Sequence, residues 1–540
     1  MKVVLQFAAL ALTLSMLAAG CAQSAGEHEH EHFHIADGKP PERLGHVSFA
    51  NSCSAAVQPS FERAVALLHS FWFRESEKAF RDVLDRDPSC AIATWGIATV
   101  LIGNTFATGP TPAQAQQAKE AIERGRAIGA KTERERLFID AVAAYYEHYP
   151  EQPHRARMQS LSDVFEHVAA RFPEDDEAQI FSALYLASTQ DPSEQTFAVT
   201  LKAAAILEAQ FKKHPDHPGV AHYLIHSYDY PPIAEKGLAA ARRYAAIAPS
   251  APHALHMPSH IFTRVGAWSD SADSNLQSAN VAKAEKEFNN QLHAMDYMVY
   301  AYLQMGRDGD ALRLVEEAPG VHGDDQILST PYALAAIPAR YALERGEWSE
   351  AAHLQPQQTR FRLTTAITYF ARAIGAARSG AADAAEADVQ ELARIVDALN
   401  AAKNKYWATE VEVQRLGAAA WVAYARGDRQ TALQLMQSAA ALEDKSEKAA
   451  VSPGRLVPAH ELLGDMLLES NRPGDALAEY ERALVRDPNR FRSLYGAGLA
   501  AATAGKRDQA RLYWSRLSDM AGSGELRPET RKARQWLANG

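Results

Sequence analysis

His222 and His226 are four residues apart, and adding 34 to each number gives His256 and His260, another pair four apart. A spacing of four places both side chains on one face of a helix. A pattern that returns after 34 residues marks a helix hairpin repeated along the chain, each hairpin burying its apolar face against the next. The expected fold is therefore all-α, an α-solenoid in which the two pairs sit on neighbouring parallel helices.

The rest of the chain carries the same period. In AHELLGDMLLESNRPGDALAEYERALVRDPN, the positions Leu463, Gly464, Leu467, Ala476, Tyr480, Ala483 and Pro488 resemble the tetratricopeptide consensus. Leu494, Gly498, Ala510 and Trp514 repeat it, and Ala64, Leu67, Phe80, Val83 and Pro88 stand in the same frame near the start. Small residues let paired helices approach, Tyr480 fills the gap, and proline ends the second helix because it cannot continue one. The resemblance implies tetratricopeptide helix hairpins wound into a right-handed superhelix of about ten to twelve repeats. The stretches 103–117 and 148–155 interrupt the pattern. Residues 46–300, with NSC, DPSC, HYLIHSYDYPP and APHALHMPSHIFTRVGAW, look like a group of exported bacterial tetratricopeptide proteins, which implies a fold and an envelope location but no reaction.

Residues 1–20 read as a secretory signal: Lys2, an apolar run too short to span a bilayer, then small residues. Ala18, Ala19, Gly20 and Cys21 resemble a bacterial lipoprotein signal, although Leu17 stands one place further back than is usual. An acylated Cys21 would anchor a soluble domain to a membrane, and Ala22 points to the outer membrane, facing the periplasm or the surface. The alternative is a plain cleaved signal with a free Cys21. Residues 21–45 read as a flexible tether in which His28, His30, His32 and His34 alternate mostly with Glu, a composition suited to loose metal capture or to a solvated spacer. Cys53 and Cys90 remain as an even pair in an oxidising compartment, where a disulfide across the first repeat is expected to contribute about 3–4 kcal/mol. The repeats divide into an N-terminal segment, 46–320, holding the histidines, and a C-terminal segment, 321–540.

With 540 residues, 47% apolar and 23% charged, the chain has ample material for an extended core, and its net charge of −10 argues against a nucleic-acid partner. In the tetratricopeptide frame the first helix of each hairpin lines the concave groove. That places His222, His226, His253, His256 and His260 on one wall, and His293 and Asp296 one repeat on, with Asp229, Tyr230, Tyr300 and Arg264 nearby. Pro258, within HMPSH, is expected to bend the helix. Clustered imidazoles hold one another neutral, the form that binds metal, and imidazole suits Zn, Cu, Ni or Fe. HYLIH has the histidine spacing of zinc-protease helices, but Tyr223 stands where their general base would be, so proteolysis is disfavoured. No GxSxG elbow, phosphate loop or strand-borne GxGxxG occurs.

The leading expectation is an envelope protein that binds a peptide or partner protein in its groove, with a transition-metal site on the groove histidines. One alternative is a metalloenzyme using the same histidines, with Tyr228, Tyr230 or Tyr300 alongside. The other is a metal-free interaction scaffold.

Overall fold

The computed structural model describes residues 41–107, 109–521 and 527–539. The signal-like start, Cys21 and the histidines at 28–34 lie outside them. From Arg43 onward the chain forms one unit. Among the described residues there are α-helices and short 3-10 turns but no strand, and no helix is long and apolar enough to cross a membrane.

The elements pair as helix hairpins in chain order, and each hairpin stacks on the next. The close approaches fall at the consensus positions. A Cβ on Gly464 would come within 2.9 Å of the Tyr480 ring, and one on Gly496 within 2.4 Å. Tyr480 thus fills the space between its own hairpin and the following one, and a larger residue at either glycine would push them apart. The Sγ atoms of Cys53 and Cys90 are bonded, with Cα atoms 4.7 Å apart, closing the first hairpin.

Three apolar cores succeed one another, from Leu44 to Phe262, from Trp268 to Ile337, and from Tyr332 to Ala533. The last repeats fold back on the middle ones. Trp268 Nε1 donates to the Asn489 carbonyl at 2.8 Å, and Phe491 N to Gln304 Oε1 at 2.9 Å. A Cβ on Gly266 would lie 2.3 Å from the Pro488 carbonyl oxygen, so only glycine fits this turn, where φ is +70°. Arg490 is fully buried between Glu344 at 2.6 Å and Glu461 at 2.7 Å, and also donates to Tyr300 Oη at 3.1 Å. The superhelix is thereby closed on itself around the segment that bears the histidines.

Candidate metal centre

Four helices carry the histidines. Pro218–Tyr228 bears His222 and His226, Pro252–His256 bears His253 and His256, Pro258–Arg264 bears His260, and Phe288–Gln304 bears His293. Pro258 divides what would be one helix into the second and third of these.

The six imidazoles gather as two adjacent groups of three. His222, His226 and His253 form one, and His256, His260 and His293 the other; within each, one ligand atom per residue lies within 4.8 Å of the others. The groups abut, with ring centroids 5.9 Å apart for both His226–His260 and His253–His256. Each group therefore combines a pair four residues apart with one histidine from the next first helix.

Asp296 belongs to neither group. Its Oδ1 accepts from Arg340 Nε at 2.8 Å, inside the protein, so the one carboxylate expected among the ligands is a salt-bridge partner instead. The aromatic neighbours also differ from expectation. Tyr228 donates to Glu208 Oε1, Tyr230 packs on Phe197, and Tyr300 takes Arg490. Three other tyrosines lie at the histidines: Tyr244 stacks on His222 at 5.3 Å, Tyr223 lies 5.2 Å from the same ring, and Tyr297 has its ring centroid 4.6 Å from that of His256 and its hydroxyl 3.5 Å from His260 Nε2.

Hydrogen bonds fix the tautomers of His222, His256 and His260. His222 Nδ1 donates to the His69 carbonyl at 2.6 Å, which leaves its Nε2 as a bare lone pair. Asn275 Nδ2 donates to the Ser271 carbonyl, so its Oδ1 faces His256 and accepts the Nδ1 proton at 2.6 Å. His260 Nδ1 donates to Asp229 Oδ2 at 2.8 Å, and Asp229 is itself held by Arg264 Nε at 2.8 Å. The Nε2 atoms of His256 and His260, both lone pairs by this accounting, face each other at 3.0 Å. Meanwhile the Nε2 atoms of His222, His226 and His253 are buried with no hydrogen-bond partner among the described residues.

Burial, reinforced by neighbouring histidines, holds His222, His226, His253, His256 and His293 well below the usual imidazole range. Burial also lowers His260, against the opposing pull of Asp229. Burial thus favours the neutral form of all six rings. An orienting acceptor on one ring nitrogen and a bare second nitrogen is the arrangement that metal-ligating histidines use.

The expected open groove wall is covered. His222 is 0% exposed and His256 2%. Phe106, from the first interruption of the repeats, stacks on His226 at 4.1 Å, and Phe71 stacks on His253 at 5.5 Å. Over the second group runs the segment 447–454. Tyr297 donates to the carbonyls of Ala450 and Ser452 at 3.0 and 3.2 Å, and Arg264 reaches Glu447 at 3.4 Å. A partner peptide lying on these histidines would have to displace the chain's own residues.

Several groups that shape the site have no repeat signature in the sequence: His69, Asn275, Phe71, Phe106 and Lys448, whose ammonium lies 3.6 Å from Asp229 Oδ1. A further buried cluster, His69–Glu177–His217, satisfies itself. Glu177 accepts from His69 Nε2 at 2.9 Å and His217 Nε2 at 3.0 Å, and His69 Nδ1 pairs with Tyr223 at 2.8 Å. It leaves no lone pairs gathered for a metal.

No known protein family matches the chain, and no curated protein does. Among solved structures, the human IFIT1 dimer with PPP-AAAA aligns at 11% identity over 76% of this chain and 88% of that one, with a TM-score of 0.33. A monomeric mutant of IFIT1 with Gppp-AAAA gives 13% identity over 80% and 90%, with a TM-score of 0.34. The APC/C hetero-tetramer Cut9–Hcn1 gives 12% over 89% and 95%, with a TM-score of 0.29. At these scores the likeness carries no functional argument, and the helical-repeat fold stands on the hairpins described above.

Proposed function

We propose that this protein holds transition-metal ions in its interior, one at each group of three histidines. The observation that carries the reading is the meeting of His222, His226 and His253, one ring nitrogen of each lying within 4.8 Å of the others, while the Nε2 of each is buried without a partner among the described residues. Burying a polar atom with nothing to bond costs free energy, and three such atoms together are stabilised by one cation. The second group supports the same reading. Two nitrogens each about 2.0–2.1 Å from one tetrahedral zinc stand roughly 3.3 Å apart, close to the separation of His256 and His260. All-imidazole ligation without carboxylate or thiolate favours Cu, Ni, Zn or Fe over Mg, Ca or Mn, with Cu(II) the tightest divalent ion.

The test is metal analysis of the full chain after dialysis against each ion. Two equivalents of Cu or Zn are expected, and retention of none at micromolar free metal would refute the proposal. A metalloenzyme is the second reading, favoured by Tyr297 beside His256 and His260; turnover of oxygen or a reductant that appears only with metal would establish it. Export and a lipid anchor at Cys21 are part of the same proposal, supported by the signal-like start and by a disulfide suited to an oxidising compartment.

A further inference from the structure

The gap between the two histidine groups is no wider than the gaps within them. In the first group the His222 ring centroid stands 4.9 Å from that of His226 and 5.0 Å from that of His253, with 6.5 Å between the latter two. In the second, His256 stands 4.9 Å from His260 and 4.4 Å from His293, again with 6.5 Å between the latter two. Across the boundary His226 faces His260 and His253 faces His256, both at 5.9 Å. The rings therefore make one continuous cluster, two triangles of imidazole lying side against side. Paired metal sites hold their ions about 3.5–4 Å apart, a separation of the same order as these ring spacings.

The cluster is poor in negative charge. Asp296 is turned to Arg340. Among the described residues, the carboxylate hydrogen-bonded to the rings is Asp229, on His260 Nδ1, and it is already matched by Arg264 Nε at 2.8 Å and Lys448 Nζ at 3.6 Å. Two divalent ions would bring their full charge into this buried space, and burying charge without a counter-charge is costly. Three imidazoles also leave the fourth position of a tetrahedral ion open. An anion entering with the ions answers both demands. Phe71 and Phe106 lie against the first group and Tyr297 against the second, so that anion must be small. We infer that the two groups work as one dinuclear centre whose ions share a small bridging inorganic anion, hydroxide in plain water and azide where it is supplied.

A bridge presupposes the ion proposed for each group, and the two can fail separately. The full chain is loaded with Cu(II), dialysed, and its copper content compared with the unpaired spins counted by electron paramagnetic resonance. Ions joined by one bridge couple their spins, so fewer spins than coppers are expected at two equivalents. His222→Ala with His226→Ala, which keeps only the second ion, should give one spin for each copper. Titration of the loaded native chain with azide should raise an absorption band that saturates at one azide for each pair of coppers, and this decides alone if the double variant fails to fold. Spins equal to coppers at two equivalents, or one azide taken up by each ion independently, would overturn the bridge and leave the two ions in place. Retention of no copper would overturn both.

Discussion

His256 and His260 direct their Nε2 atoms at each other across 3.0 Å, while Asn275 and Asp229 take the Nδ1 protons of the two rings. Neither ring can donate to the other without surrendering the bond on its far side. The contact is a repulsion between lone pairs unless a cation lies between them, and this relationship gives the metal reading its sharpest consequences.

Because each three-histidine group draws on a different HxxxH pair, the sites should be separable. His222→Ala with His226→Ala should lower bound copper from two equivalents to one, and His256→Ala with His260→Ala should remove the other. Elemental analysis with circular dichroism checks both. A double variant that retains two equivalents would place the metal elsewhere.

The orienting shell should matter nearly as much as the ligands. Asn275→Ala leaves all six imidazoles in place but frees His256 to change tautomer. Its metal affinity at the second group should fall about 10–100-fold, with the first group unchanged. Competition against a chelator of known affinity measures the difference.

Metal removal should destabilise the fold. With free metal at about a thousand times its Kd, one bound ion adds about 4 kcal/mol, so chelation should lower the melting temperature measurably. The shift should shrink in either double-histidine variant.

A pH effect is expected at His154, away from the metal ligands. Its Nδ1 accepts from the Tyr145 hydroxyl at 2.6 Å and its Nε2 donates to the Thr105 carbonyl at 3.1 Å. Burial holds it down to about 4, from 6.5. The unfolded chain therefore takes the proton first as pH falls, so the contribution is whole above 6.5 and lost progressively between 6.5 and 4. At about 1.4 kcal/mol for each pKa unit, the loss is at most about 3 kcal/mol, less for any solvent contact the ring keeps. Chemical denaturation at pH 7.5 and pH 5 should show a smaller drop in His154→Gln than in the native chain.

Closure of the superhelix should depend on Arg490. Arg490→Met leaves Glu344 and Glu461 buried with a missing counter-charge and should cost about 3–5 kcal/mol. Adding Glu344→Gln should recover part of it. Denaturant midpoints of the single and double variants provide the check.

The repeat and the histidine ladder were legible because both are local. The step from Pro218 to Pro252, where the two pair-bearing hairpins begin, is 34 residues, although other hairpins are spaced differently, and a spacing of four puts two rings on one face whatever the rest of the chain does. The division of six histidines into two groups was not legible, since it depends on how far Pro258 turns the chain between His256 and His260. Asp296 illustrates the limit of register. It falls 40 residues after His256 rather than the 34 that separate the two pairs, and Arg340, 44 residues further on, claims its carboxylate. The cover over the site comes from residues 447–454, whose contacts with Arg264 and Tyr297 span more than 150 positions, and no periodic pattern encodes such a meeting.

That cover also imposes an order on biosynthesis. The six histidines are complete in the growing chain once residue 293 has been made, whereas the segment that roofs the second group follows only some 150 residues later. Exchange of a cation at the second group should therefore be slower than at the first, because it requires that segment to move aside.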